Sequence, residues 1–257
     1  MQPEVISGKV WLVGAGPGAA DLLTLRAARL IGSAQALLYD ALVSEEILAL
    51  APAACLKIQT GKRAGRASMK QETINRLMLR LVRRGLEVVR LKGGDPSIFG
   101  RVGEEQAYLR GHGVETEIVP GVTAACAAAA QFGFPLTHRG AARRVVFTTA
   151  RLKEGALAVD WSAAADLEAT LAIYTGRDCA EALSRQLIAA GRPSTTPALA
   201  VENAGTPQAR LARGVLGSLG ALGLGAGGPT LFVIGDVADL AHAPGLQSAD
   251  LLALAVG

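Results

Sequence analysis

The chain has 257 residues, half of them hydrophobic and only 19% charged. That is apolar material for one large α/β domain or two ordinary ones, and it excludes a disordered chain. Aromatics at 4% leave few rings on which single-stranded nucleic acid could stack, and a net charge of +4 points only mildly to an anionic partner. Cys55, Cys126 and Cys179 are odd in number and widely spaced, with no CxxC pair or Cys/His cluster. Neither a disulfide framework nor a structural zinc site is supported, and no metal is expected. The start, MQPEVISGKVWLV, lacks the pattern of a secretory leader. No apolar run reaches the roughly 18 residues of a membrane helix. The expectation is a cytoplasmic protein with no membrane and no nucleic-acid partner.

In chain order, KVWLVGAG reads as a buried strand, DLLTLRAARLIGSA as a helix, AQALLYD as a strand, SEEILALA as a helix and CLKIQT as a short strand. MKQETINRLMLRLVRRG places Ile74, Leu77, Met78 and Leu81 at helical spacing. EVVRLKGG is the next strand, GEEQAYLRGHG a helix, and VETEIV a strand that closes at Pro120-Gly121. Strands alternating with helices predict a mostly parallel sheet. Beyond Pro120 the texture changes. TAACAAAAQFG reads as a small-residue helix, RRVVFTTA and LEATLAIYTG as strands, and CAEALSRQLIAAG as a helix. TPALAVENA, QARLARGVL and PTLFVIGDV then read as strands, the first two close enough in sequence to pair antiparallel, so the second sheet is expected to be mixed. Residues 217–228 (GSLGALGLGAGG) read as a flexible loop by composition. The predicted organisation is an N-terminal α/β domain over 1–120, a C-terminal α/β domain over 121–241 and a tail over 242–257, with no internal repeat.

The segment RLKGGDPSIFGRVGEE, Arg90–Glu105, is the most informative. Adjacent glycines at the carboxyl end of a strand let a backbone approach a ligand closely. Open α/β sheets bind their ligands at that edge. Asp95-Pro96 then fixes the turn. A second glycine-rich strand end, GAGPGA at Gly14–Ala19, satisfies the dinucleotide fingerprint. Pro17 and Gly18 argue against that use, since they remove or reorient amide donors at the helix start. Asp40 ends the second strand where a ribose-binding acid would stand, but it also heads a helix, so either role is open. The arginines fall in KRAGR (Lys62–Arg66), RLVRR (Arg80–Arg84) and HRGAARR (His138–Arg144), which read as solvated surface unless a site claims them.

Taken in order, GAGPGAADLLTLRA, YDALVS, GKRAGR, LKGGDPSIFGRVGEE, VPGVTA and PLTHRG resemble the tetrapyrrole methylase superfamily, and within it the uroporphyrinogen-III C-methyltransferases. The likeness runs from about Lys9 to about Val237. It implies S-adenosylmethionine as methyl donor, held in a cleft between two α/β domains of a homodimer. By matching positions it assigns donor contacts to Pro17, Gly93, Gly94, Asp95, Ile98, Thr123, Ala124, Thr175, Ala204, Thr230, Leu231 and Phe232. The implied substrate is uroporphyrinogen III, whose carboxylates suit the planar fork of arginine. Arg139, Arg63 and Arg66 are the implied substrate contacts. The implied reaction adds methyl groups at carbons 2 and 7 to give precorrin-2, serving sirohaem, cobalamin or haem d1 synthesis, and needs a base for proton loss but no metal. Arg101, Glu104, Asp40 and Lys62 are the implied catalytic residues, with Arg101 polarising the substrate, Glu104 orienting Arg101 and Lys62 donating a proton. Two positions depart from the pattern. Thr175 stands where the family has methionine, and Val102 replaces a glycine beside Arg101, where a positive φ would be hard for a β-branched residue. Rival readings are a methylase of the same superfamily acting on a later corrin intermediate or on ribosomal RNA, and a nicotinamide-dependent oxidoreductase using Gly14–Ala19 and Asp40. At this length a fused dehydrogenase and ferrochelatase region is not expected.

Overall fold

The computed structural model describes residues 8–61, 69–150, 166–222 and 227–241. The chain divides into two compact units, Met1–Thr123 and Ala124–Gly257. In the first, strands β1 (Lys9–Gly14), β2 (Ala36–Tyr39), β3 (Leu56–Gln59), β4 (Val88–Lys92) and β5 (Glu115–Val119) form one sheet in the order β3-β2-β4-β1-β5. Every pairing in it is parallel. Helices α1 (Leu25–Ser33) and α2 (Glu45–Leu48) cover one face, with Ile31, Ile47, Leu37, Val89 and Leu91 between them. Helices α3 (Gln71–Arg83) and α4 (Val102–Gly111) cover the other, over Val10, Leu12, Leu38, Met78 and Leu109. A sheet buried on both faces explains the near-continuous apolar strands. The helix starts follow local chemistry, since Thr24 and Ser44 accept the amides of Ala27 and Ile47 as N-caps.

In the second unit, α5 (Ala124–Gln131) precedes β6 (Arg144–Thr149), β7 (Ala169–Tyr174), α6 (Ala180–Ala189), β8 (Pro197–Glu202), β9 (Arg210–Val215) and β10 (Thr230–Ile234). Its sheet runs β6-β7-β10-β8-β9. Only β6 and β7 are parallel, and β8 pairs antiparallel with β9 as the short link between them predicts. The fold is therefore α/β with a parallel sheet and a mixed one. Residues 217–228 depart from the expected loop. Leu216–Ala221 is a 3₁₀ helix that buries Leu216 and Leu219 against α6. The glycines there are compatible with a tight turn of helix because two leucines anchor it, a pattern that composition alone conceals. Residues 223–226 lie outside the described residues. Among the described residues no helix is long and apolar enough to cross a membrane.

Candidate active site

Because β1 to β5 are parallel, the segments after Gly14, Tyr39, Gln59, Lys92 and Val119 all leave the first sheet at one edge. Neighbours β1 and β4 send their chains to opposite faces, β1 toward α1 and β4 toward α4, which makes their junction the crevice of a doubly wound sheet. GAGPG and GGDP meet there. Gly94 donates to the Gly16 carbonyl at 2.7 Å and accepts from the Gly16 amide at 3.2 Å. The glycines at this edge thus serve the chain's own packing before any ligand. A Cβ on Gly121 would lie 2.3 Å from the Gly94 carbonyl oxygen, and one on Gly14 would lie 2.6 Å from the Gly121 nitrogen. Gly93 differs. A Cβ there would meet only the Leu42 side chain, at 3.5 Å, so its backbone is the approachable part of the loop.

Asp95 binds its own loop. Its Oδ1 accepts the Ser97 amide at 2.8 Å and the Ser97 hydroxyl, and its Oδ2 accepts the Gly121 amide at 2.9 Å. The carboxylate therefore clamps GGDP to PGVT. Pro17 and Ile98 are half-buried at the same edge, and Thr123 is buried. Arg101 follows with φ 56° as the N-cap of α4, and Phe99 two residues earlier has φ 55°. Val102 is the first helical residue and lies outside the positive-φ set, so the feared strain does not fall on it. Arg101 donates Nε to Glu104 Oε1 at 2.8 Å and an end nitrogen to Oε2 at 2.7 Å, a two-point pair with both side chains half-exposed. The Glu104 hydrogen bond raises the Arg101 pKa above its ordinary value and lowers that of Glu104.

Behind this edge lies a cluster that the sequence reading missed. Alternation along β4 puts Arg90 and Lys92 on the face covered by α3 and α4. Glu105, fully buried on α4, accepts Arg90 Nε at 3.1 Å, Lys92 Nζ at 3.0 Å and Gln71 Nε2 at 3.0 Å. Arg90 also donates to Thr60 Oγ1 at 3.2 Å and pairs with Asp40 Oδ1. Burial works against the Arg90 charge, but Asp40 and Glu105 outweigh it and hold its pKa above the ordinary arginine value. Burial, with Arg90 beside it, pushes the Lys92 ammonium below its ordinary value against the pull of Glu105. The signal was in the sequence. Two cations at alternate positions of a central parallel strand must face the same buried side, and burial demands a carboxylate there.

The second unit has its own edge. Strands β7 and β8 run the same way, since each is antiparallel to β10, so Thr175, Asn203 and Ala204 follow their ends beside the start of β10. Thr230 lies opposite Glu202, and Leu231 opposite Tyr174 and Val201. Thr175 (φ 56°) and Asn203 (φ 54°) complete, with Phe99 and Arg101, the positive-φ non-glycine residues among the described ones. For a threonine this conformation costs of order 1–3 kcal/mol, and such outliers gather at functional sites. The Thr175 hydroxyl is exposed and lies 2.9 Å from that of Thr149. Tyr174 accepts the amide of Ala125 at the start of α5, one residue after Ala124. Leu231 and Phe232 are core side chains, so these two can present only backbone; Phe232 packs under Gly176, where a Cβ would meet its ring at 3.0 Å. Glu202 is buried, accepts the Gly228 amide and Arg177, each at 2.8 Å, and so ties the β8 and β10 ends together.

Arg139 stands apart from that edge. It sits at the tip of a turn closed by His138 and Ala142, ahead of the first residue of β6, while Thr149 and Thr175 lie at the far end. Six paired strand residues separate these ends by about 20 Å. With Thr137, His138, Ala142 and Arg143 it lines an open depression of about 610 Å³. Arg144 is a surface residue paired with Asp166 at 2.6 Å and Glu168 at 3.3 Å. Lys62, Arg63 and Arg66 lie outside the described residues. No group of His, Cys, Asp or Glu side chains able to hold a metal occurs among the described residues.

The hydrogen bond of Gly228 to Glu202, and after it the Arg177 pair, lower the Glu202 pKa below its ordinary 4.5. A depressed carboxyl contributes stability that is complete above the unfolded value and disappears as pH falls through the folded one. The stability difference between the parent protein and Glu202→Gln is expected to be constant near neutrality and to shrink below about pH 4.5. Melting temperatures of the two proteins across pH 3 to 7 measure it.

Residues 9–220 match the family model of the Tetrapyrrole (Corrin/Porphyrin) Methylases. The structure of a uroporphyrin-III C-methyltransferase from Thermus thermophilus, complexed with S-adenosyl homocysteine, is similar with a TM-score of 0.79 and 42% identity, covering 90% of this chain and 99% of that one. A cobalt precorrin-4 methyltransferase superposes with a TM-score of 0.78 at 28% identity, over 90% and 96% of the two chains. A sirohaem synthase of Nitrosospira multiformis is 45% identical over 239 residues, 92% of this chain and 51% of its own length. Siroheme synthase 1 of Yersinia enterocolitica is 48% identical over 235 residues, 91% and 50% respectively. The chain thus spans about half the length of the curated relatives it matches. With a family model matched over most of its length and the glycine-bound strand ends in place, the chain belongs to the tetrapyrrole (corrin/porphyrin) methylases.

Proposed function

We propose that the protein is an S-adenosylmethionine-dependent uroporphyrinogen-III C-methyltransferase that adds methyl groups at carbons 2 and 7 to give precorrin-2, working as a cytoplasmic homodimer. The observation that carries this reading is the likeness, at 42% identity and over 99% of the other chain, to a uroporphyrin-III C-methyltransferase complexed with S-adenosyl homocysteine. The strand-end edges suit the donor's ammonium, carboxylate, ribose and adenine groups. In the first unit these are the Gly93 backbone and the Thr123 hydroxyl. In the second they are the exposed Thr149–Thr175 hydroxyl pair, the backbone around Thr230 and the small Ala124 and Ala204. When bound, that donor supplies a sulfonium methyl, which an electron-rich pyrrole carbon takes with loss of a ring proton.

Arg101 is the residue best suited to polarise a carboxylated macrocycle. Its fork is half-exposed and already fixed by Glu104, so little side-chain freedom is lost when substrate arrives. Asp40 and Glu104 are the carboxylates able to take the proton, and Lys62, Arg63, Arg66 and Arg139 remain substrate-side assignments from the family pattern. Alignment of the reacting atoms can supply roughly 7–11 kcal/mol of the barrier reduction. Arg101→Lys is expected to bind S-adenosylmethionine as the parent does but to lose most methyl transfer, because a point charge replaces the fork. Calorimetric titration and an initial-rate assay read the two effects separately. Labelled methyl passing from S-adenosylmethionine to uroporphyrinogen III, and not to later corrin intermediates or ribosomal RNA, tests the reading as a whole. Saturable NAD(P)H binding without any response to S-adenosylmethionine would replace it with the oxidoreductase. Light scattering tests the dimer.

A further inference from the structure

Among the charged groups of the buried cluster in the first unit, Asp40 is the one that reaches solvent. Arg90 and Lys92 have side chains 3% and 4% exposed and Glu105 has none exposed, whereas Asp40 is 34% exposed. Two cations therefore face two carboxylates, three of the four groups sealed between β4, α3 and α4. A fully buried ionic group is a poor device for stability alone, because desolvation offsets most of the attraction. Its geometry is directional. Glu105 orients the Arg90 guanidinium through Nε, and Gln71, itself bonded to Asn75, orients Glu105. The far side of the guanidinium then bonds Thr60 and Asp40. Both described partners of the Asp40 carboxylate, Arg90 and the Thr60 hydroxyl at 3.3 Å, use Oδ1. The other oxygen, Oδ2, has no partner among the described residues, and Asp40 sits at the carboxyl-end edge of the parallel sheet.

We infer that Arg90 is a positioning residue, braced by Glu105 and Lys92, which pins Asp40 through Oδ1 and presents Oδ2 to a proton-bearing atom of the substrate's pyrrole ring. This inference rests on the methyltransferase reading above. It makes Asp40 act through a chain that begins on α4, next to the Arg101–Glu104 pair, so one helix sets the position of both exposed acidic groups.

The test is a double-mutant cycle on methyl transfer with Arg90→Lys, Asp40→Asn and the two combined, together with crystal structures of the parent and of Arg90→Lys. Arg90→Lys keeps the buried charge and loses the fork. It is expected to lower kcat tenfold or more with KM for S-adenosylmethionine unchanged, to add no further loss in the Asp40→Asn background, and to show Asp40 turned away from its parent orientation. If the lysine variant fails to fold, the triple Arg90→Met, Lys92→Met, Glu105→Leu removes the charges together and takes its place, since apolar replacement of a whole buried ionic group is often tolerated. Losses that add independently, or an Asp40 side chain that keeps its orientation in the folded variant, would overturn the inference. A parent protein that transfers no methyl to uroporphyrinogen III, with Asp40 displaced in the variant crystal, would sink the substrate reading while supporting the positioning role.

Discussion

Glu105→Ala is expected to destabilise the first unit by about 3–5 kcal/mol, the loss seen when one partner of a buried ion pair is removed. Glu104→Ala, one residue earlier on the same helix, is expected to change stability by no more than about 0.5 kcal/mol. The two carboxylates differ in surroundings, not in kind. Glu105 is sealed against Arg90, Lys92 and Gln71, and its removal leaves Lys92 with no carboxylate in bonding distance among the described residues. Glu104 stands half in water against Arg101, where an exposed pair contributes little to the fold. On the proposed reading, a conservative change at Glu104 is expected to lower activity while leaving stability unchanged, because its fork fixes Arg101. Urea or thermal unfolding of both alanine variants, followed by circular dichroism, measures the contrast. Equal stabilities would contradict the burial argument.

The second large effect is steric. Gly121→Ala places a methyl 2.3 Å from the Gly94 carbonyl oxygen and 2.9 Å from Gly14 Cα, where only backbone is available to move. Overpacking of a tight site costs typically 1–3 kcal/mol, and a clash with backbone on both sides is expected at or above about 3. The strand ends of β1, β4 and β5 would have to separate, carrying Gly93 and the Asp95 clamp with them, so donor affinity should fall together with the melting temperature. Gly111→Ala is the control. That glycine ends α4 with open space where its Cβ would stand, and alanine there is expected to be neutral or mildly stabilising. Calorimetric melting of both variants, with S-adenosylmethionine titrated into each, reads both effects.

These two cases show what was legible in the sequence. The alternation of apolar strands and amphipathic helices predicted the parallel sheet, and the short link between β8 and β9 predicted their antiparallel pairing. The GGDP and GAGPG segments marked the edge, because glycines between a buried strand and a helix have few other causes. Their immediate reason was harder to read. Gly14, Gly94 and Gly121 come from three distant stretches of chain, and only folding shows that they exclude one another's side chains. Asp95 was assigned to the donor by its place in the motif, while its bonds to Ser97 and to the distant Gly121 had no signal in the sequence. Arg90 and Lys92 were legible in principle from the two-residue period of β4. The partner Glu105 was hidden beside Glu104, since a helix turns adjacent residues toward different surroundings. The left-handed backbone of Thr175 has no sequence signal, because threonine ordinarily avoids it.

The central claim is tested most directly by incubating the purified protein with S-adenosylmethionine and uroporphyrinogen III without oxygen and weighing the tetrapyrrole by mass spectrometry. The expected product carries two added methyl groups, each gained with loss of one proton, and one S-adenosyl homocysteine is released for each. An unchanged tetrapyrrole, in a protein shown by titration to bind S-adenosylmethionine, would contradict it.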